Sequence, residues 1–285
     1  MDWIFDAADA FRSDRKPYSN LVAGKVAALL FFEPSTRTRF SFEIAFKKLG
    51  GAVVGFSDAS TSSMGKGETF EDTVRIIQQY VDVMVIRHPD EDSLRLATAD
   101  ARIPVINAGN GSQEHPTQAL LDLYTVRQLK GRINGLQIAL CGDLRHGRDI
   151  HSLAILLALY DVEVILVAPP SFGMADFVQR EWELRGFSKY STVSRLKDLP
   201  GDVDVLYLNR IQRERLAVQP AEVDFHVLND DFLARLDSKT VILNPMPRSH
   251  ETPTWLDSDP RAKYFEQAAN GLWVRMALFS MMLVE

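Results

Sequence analysis

Short, continuous apolar runs recur along this chain, each separated from the next by a helix-patterned segment. That alternation is the signature of a parallel α/β fold. Val26 to Phe32 is apolar without interruption, as a strand buried on both faces must be. Phe40 to Leu49 reads as a helix, with apolar residues at Phe40, Ile44 and Leu49 and with Phe42 and Phe46 in the neighbouring stripe. Gly50-Gly51 closes it. Val53 to Phe56, Val83 to Ile86 and Pro104 to Asn107 read as further strands, with a helix over Glu68 to Tyr80. Thr117 to Lys130 reads as a helix leading into a second set. That set has strands at Leu136 to Cys141, Val162 to Val167, Val203 to Leu208 and Thr240 to Leu243, and helices at His151 to Leu159 and Ala175 to Arg185. A last apolar helix runs from Gln267 to Leu283.

The expected architecture is therefore α/β with two domains, each a parallel β-sheet flanked by helices. Residues 1–130, completed by a C-terminal helix at 265–285, form one domain and residues 131–264 the other. Ligands of such sheets bind beyond the carboxyl ends of the strands, which places the active site in the cleft between the domains. A length of 285 residues suits two domains of about 100–200 residues each.

The net charge of −6 argues against nucleic acid as a partner, because such binders carry basic surface. The one cysteine, Cys141, ends an apolar run and reads as a buried, inert thiol. No apolar stretch approaches the ~20 residues of a membrane helix, and no signal peptide opens the chain. The expectation is a cytoplasmic protein without a membrane partner. The six histidines lack the spacing of metal ligands, so no metal is expected.

The segment Glu33-Pro34-Ser35-Thr36-Arg37-Thr38-Arg39 follows a buried strand and opens a helix. Free backbone N–H groups and the helix dipole favour an anion there. An N-cap explains one hydroxyl. It does not explain Arg37 in the first turn, where a cation opposes the dipole but supplies a bidentate fork for phosphate oxygens. Arg87-His88-Pro89 and His115-Pro116-Thr117-Gln118 also follow strand-like runs. Arg87 adds positive charge, and His88 reads as a packing residue. His115 can donate to a developing oxyanion, although a histidine before Pro-Thr-Gln is as readily a loop or cap residue. Gln118 can both donate and accept. The loop Ser62-Ser63-Met64-Gly65-Lys66-Gly67-Glu68 can carry an ammonium to an anion or be a solvated turn. Gly142 to Arg148 lies between a strand and a helix but lacks the spacing of a dinucleotide or Walker loop.

Glu33–Arg39, the Lys66 loop, Arg87-His88-Pro89, His115–Gln118, Gly142–Ser152, Arg210–Arg215 and Asn244–Arg248 occur in one order. In that order, and over nearly the whole chain, the sequence resembles the catalytic chains of aspartate carbamoyltransferases, within the aspartate/ornithine carbamoyltransferase superfamily. The Ser-Thr-Arg-Thr and His-Pro-Thr-Gln motifs are specific to that superfamily. The resemblance implies transfer of the carbamoyl group of carbamoyl phosphate to the amino group of L-aspartate, a step of pyrimidine biosynthesis, without a cofactor. It implies that Ser35, Thr36, Arg37, Thr38 and Arg87 bind the phosphate, that His115 polarises the carbamoyl carbonyl, and that Gln118 holds the carbamoyl amide. Carbonyls of the loop Pro245-Met246-Pro247 would share that amide. Arg148, Arg210 and Gln212 would bind aspartate. Lys66 would enter from a neighbouring subunit of a homotrimer with shared sites. Glu33 would pair with Arg148 and Arg215 to hold a closed state. A regulatory or dihydroorotase chain is the further partner that the resemblance implies.

The sequence departs from the family pattern in three places. Asn244 stands where a histidine precedes the Pro-Leu-Pro loop, Asp149 follows Arg148 where threonine is usual, and Met1 begins just inside the expected first helix. An ornithine-type chain would carry a Ser-Met-Gly motif in the second domain. Asn209-Arg210-Ile211-Gln212 stands there instead, and an arginine suits a substrate carboxylate rather than an ammonium.

Overall fold

A computed structural model describes residues 1–14, 16–58, 63–212 and 226–284. Helix α1 (Asp2–Ser13) precedes β1 (Val26–Phe31), α2 (Thr36–Lys48), β2 (Ala52–Phe56), α3 (Phe70–Ile77), β3 (Val83–His88), α4 (Ser93–Ala99) and β4 (Val105–Asn110). Then follow α5 (Pro116–Lys130), β5 (Gln137–Cys141), α6 (Arg148–Leu157), β6 (Glu163–Val167), α7 (Asp176–Leu184) and β7 (Tyr190–Val193). The chain ends through β8 (Val205–Leu208), α8 (Asp230–Arg235), β9 (Val241–Leu243) and α9 (Tyr264–Leu283). All strand pairings are parallel, in two sheets of order β2-β1-β3-β4 and β7-β6-β5-β8-β9. No helix among the described residues is long and apolar enough to cross a membrane.

The chain divides into two compact units, 1–117 with 269–285, and 118–268. The division falls inside α5, earlier than the break expected at 130. Residues of α5 past Thr117 bond within the second unit: Asp122 accepts from Tyr207, and Lys130 donates to the backbone carbonyl of Lys239 at 2.7 Å.

In the first unit, β1 and β3 are almost wholly buried, as their apolar runs require. Phe70 and Val74 of α3 pack on one face against Leu30, Met84 and Ile86. Phe42 and Phe46 of α2 both meet Phe279 of α9 edge-on. Of the two apolar stripes that the sequence shows along α2, Phe42 and Phe46 are fully buried, whereas Phe40 and Ile44 are 57% and 42% exposed. Both stripes are apolar, and only the packing of α2 against α9 selects between them.

In the second unit, β5, β6 and β8 supply Ala139, Cys141, Ile165, Val167, Leu206 and Leu208 to one cluster with Phe232, Leu256 and Tyr264. Cys141 is a free, buried thiol whose pKa burial pushes up, which makes it inert. Three elements escape a pattern reading. β7 is a polar edge strand, mostly exposed, and α4 and α8 are too short to show a period.

Both strand orders contain one reversal. In the first unit the chain passes from β1 to β2 and then returns to lay β3 on the other side of β1. In the second it runs β5, β6, β7 and then lays β8 on the other side of β5. At such a switch point the two following connections diverge to opposite faces and leave a crevice at the carboxyl ends of the strands.

Candidate active site

The expected phosphate ligands gather at the first switch point. Ser35 is the N-cap of α2, with extended backbone (φ −157, ψ 103), yet its side chain caps no amide. The hydroxyl is thus not spent on capping the helix. Thr36 and Arg37 form the exposed first turn, and Thr38 behind them is buried. Arg39 turns outward along the helix to pair with Glu43 at 3.1 Å.

Parallel pairing puts Phe31 opposite Arg87, so Glu33, two residues on, lies beside that guanidinium. Glu33 Oε1 and Arg87 Nε are 2.7 Å apart, and a second Arg87 nitrogen donates to the Ala108 carbonyl at 3.4 Å. Glu33 was expected to reach Arg148 and Arg215. Its ion pair with Arg87 lies within one unit, and Arg215 lies outside the described residues.

His88 is a packing residue. Its ring meets Phe32 and Phe70 at 4.9 and 4.8 Å, and its Nδ1 accepts from the Asp90 amide at 3.0 Å. Burial holds its pKa below the usual range, so it stays neutral.

His115 precedes Pro116, the first residue of α5, where proline's fixed φ and missing N–H suit a helix start. The connection before it is shaped by asparagines. Asn107 donates to Asn110 at 2.9 Å, the Asn110 side chain donates to the Glu91 carbonyl at 2.8 Å, and the Asn110 amide donates to the Glu114 carbonyl at 3.1 Å. This holds the buried His115 with Nε2 3.5 Å from Thr38 Oγ1. The ends of β1, β3 and β4 thus bring together a helix start, a guanidinium, a hydroxyl and an imidazole. That set of donors suits a phosphate and a carbonyl that becomes an oxyanion. Lys66 closes a short 3-10 turn, Ser63–Lys66, and is exposed.

The second switch point has the same construction. Gly142 follows β5 with φ +124, and a Cβ there would sit 2.1 Å from the Asn209 carbonyl oxygen. Only glycine lets the β5 and β8 ends approach so closely. Asp143, fully buried, ties the two connections together. It accepts from the His146 amide at 3.0 Å and from the Gln212 amide at 3.3 Å. The Gln212 side chain donates to the His146 carbonyl at 2.9 Å. Arg148 is buried in the first turn of α6, a cation against the helix dipole just as Arg37 is in α2. Arg210 lies two residues past the end of β8, after Asn209, and is half-buried.

The Pro245-Met246-Pro247 loop follows β9. Met246 has left-handed backbone (φ 56), and the Met246–Pro247 bond is cis. Asn244 builds this turn: its Oδ1 accepts from the Met246 amide at 2.7 Å, while its Nδ2 donates to Thr252 at 2.9 Å and Glu251 at 3.2 Å. The asparagine that departs from the family pattern is thus scaffold for the loop.

Asp122 was missed by the sequence reading, and so was Asp143. Asp122 is fully buried on α5. Its Oδ1 accepts from Gln118 at 2.8 Å and from Gln267 at 2.6 Å, and its Oδ2 accepts from Tyr207 at 2.7 Å. Burial, the largest cause, raises its pKa to about 7. The three donors oppose that rise, and the nearby charge of Asp149 adds to it. A carboxylate one turn after Gln118 in an apolar helix was the available signal.

The donors at the first switch point suit a phosphate, and the guanidinium groups at the second suit a carboxylate. Residues 1–128 match the aspartate/ornithine carbamoyltransferase carbamoyl-P binding domain, and residues 134–282 match the Asp/Orn binding domain of the same enzymes. The chain belongs to the aspartate/ornithine carbamoyltransferase family. It is similar to the aspartate carbamoyltransferase catalytic subunit of Clostridium acetobutylicum, 41% identical over 99% of this chain and 94% of the relative. The corresponding subunit of Thermococcus onnurineus is 46% identical over 95% of this chain and 88% of that one. Aspartate transcarbamoylase from Trypanosoma cruzi, solved with carbamoyl phosphate and aspartate, superposes with a TM-score of 0.90. It is 37% identical and covers 99% of this chain and 91% of its own.

Proposed function

We propose that this chain transfers the carbamoyl group of carbamoyl phosphate to the amino group of L-aspartate, giving N-carbamoyl-L-aspartate and phosphate. The observation that carries this reading is Arg210, at the carboxyl end of β8, beside a loop pinned to Arg148's own connection through Asp143. Guanidinium groups at this switch point suit a dicarboxylic amino acid, not one with an ammonium side chain.

In this reading Ser35, Thr36, Arg37, Thr38 and Arg87 hold the phosphate, while Gln118 and the carbonyls of Pro245 and Met246 take the carbamoyl NH2. The amine nitrogen of aspartate attacks the carbamoyl carbon. The developing oxyanion is met by Thr38, His115 and Arg87, a preorganised set of donors. The carbon–oxygen bond to phosphate then breaks, Arg37 neutralises the leaving group, and the amine proton leaves with the phosphate. Holding both substrates together supplies much of the rate. Arg148, Arg210 and Gln212 hold aspartate, and Glu33 pairs with Arg148 and Arg215 to hold the closed state.

The same reading makes the protein a cytoplasmic homotrimer in which Lys66 serves a neighbour's site. It is supported by the exposure of Lys66 and by the apolar side chains that the first unit leaves exposed, among them Phe40, Ile44, Val54 and Tyr80. The catalytic-subunit names of the relatives support a regulatory chain as a partner.

The test is to incubate the purified protein with carbamoyl phosphate and either aspartate or ornithine, and to identify products by mass. Carbamoyl aspartate is the expected product. Citrulline formed in preference would overturn the assignment.

A further inference from the structure

The hydrogen bonds around Asp122 run in one direction. A backbone N–H can only donate, so the Asn244 amide, 2.9 Å from Gln267 Oε1, fixes which end of the Gln267 amide is oxygen. Its NH2 end must then face Asp122 Oδ1, at 2.6 Å. The Gln118 NH2 end meets the same Oδ1 at 2.8 Å. Tyr207 donates to the other oxygen at 2.7 Å. Any proton Asp122 holds sits on Oδ2, toward the Tyr207 hydroxyl, because both partners of Oδ1 are NH2 donors. Oδ1 only accepts, so one buried group sets the orientation of both glutamine amides. It leaves Gln118 Oε1, an acceptor, as the free end of its amide. Through Gln267 it also anchors Asn244, which in turn holds the Met246 amide at 2.7 Å.

We propose that Asp122 is a positioning residue for substrate specificity. By accepting from Gln118 and Gln267 it makes Gln118 and the 244–247 loop an acceptor-only pocket, one that takes an NH2 group and rejects a methyl group of the same size. The inference rests on the functional reading above, in which Gln118 and the loop carbonyls hold the carbamoyl NH2. A methyl group in that pocket leaves buried acceptors unpaired, which is how a polar site discriminates strongly between isosteres. If the Gln118 amide were free to turn over, its NH2 end would face the ligand, and that advantage would vanish.

Acetyl phosphate, in which CH3 replaces the NH2 of carbamoyl phosphate, is the probe. The readout is the ratio of its inhibition constant to the KM of carbamoyl phosphate, measured with wild type, Asp122→Ala and Asp122→Asn. Asparagine can still turn an oxygen toward both glutamines and an NH2 toward Tyr207, so Asp122→Asn should keep most of the ratio. Asp122→Ala should lower it at least about tenfold, while the KM for aspartate changes little. In a Gln118→Ala background the alanine at 122 should lower it no further, because Asp122 acts through Gln118. Should Asp122→Ala not fold, Asp122→Ser makes the same measurement, since a hydroxyl donates as well as accepts and fixes neither end of the amide. A ratio unchanged by Asp122→Ala or by Asp122→Ser, or lowered as much when Gln118 is already alanine, would overturn the proposal. A wild type that forms no carbamoyl aspartate would sink the functional reading and this inference with it. An active wild type with an unmoved ratio sinks this inference alone.

Discussion

Asp122 also makes the stability of the protein depend on pH in a direction opposite to most carboxylates. Its pKa rises from 3.8 to about 7 on folding, first because of burial and then because of the Asp149 charge. Below pH 3.8 both folded and unfolded chains carry the proton, and the group contributes nothing to the slope. Between these two values the unfolded chain releases its proton while the folded chain keeps it. Stability is therefore lost as pH rises, until the folded group itself ionises near 7. At about 1.4 kcal/mol for each pH unit, the loss comes to about 4 kcal/mol. Asp122→Asn keeps the shape of the side chain and removes the titration. Urea unfolding of variant and wild type at fixed chain concentration, in steps from acid to mildly alkaline pH, isolates the term, because other groups cancel in the difference. Fixed concentration matters because assembly shifts apparent stability. Relative to its difference from wild type in acid, the variant should gain steadily from about pH 4 to about pH 7 and then hold a constant further margin of about 4 kcal/mol. A difference that stays flat across the range would show that Asp122 ionises at its ordinary value despite its burial, and would refute the reasoning.

Asp149→Thr removes the like charge that raises Asp122, so in that background the pH at which the margin levels off should fall, the chain that keeps Asp122 gaining back part of its alkaline stability. An unmoved profile would leave Asp149 as a first-turn acid serving the α6 dipole alone. Arg37→Ala should lower kcat by several orders of magnitude with the fold intact, because the lost contact is made to the departing phosphate. A kcat within about tenfold of wild type, worth only about 1.4 kcal/mol, would remove Arg37 from that role. Mixing Lys66→Ala chains with Arg37→Ala chains should restore activity in hybrid trimers, where some sites receive both intact residues. Persistent inactivity in demonstrably mixed trimers would exclude sharing of sites through Lys66.

Much of this molecule is written locally. A strand buried on both faces must be apolar throughout, so Val26 to Phe31 and Val83 to Ile86 were legible as strands without any partner in view. Helix starts are chemical events within a few residues, so Arg37 in a first turn, and His115 before Pro116, announced their places. The family motifs lie in those same connections, because function in an open α/β sheet sits where strands end.

Tertiary structure decided what local spacing leaves equivalent. Two apolar stripes run along α2, and only contact with Phe279 made Phe42 and Phe46 the buried one. The Glu33–Arg87 pair depends on β3 lying beside β1, a consequence of strand order rather than of either segment. Asp122 is the plainest case. On its helix it is one acid among apolar neighbours, and its meaning comes from Tyr207 and Gln267, 85 and 145 residues away in the chain. A buried charge is tolerable only when distant donors converge on it, and no periodicity along the chain records which donors those are.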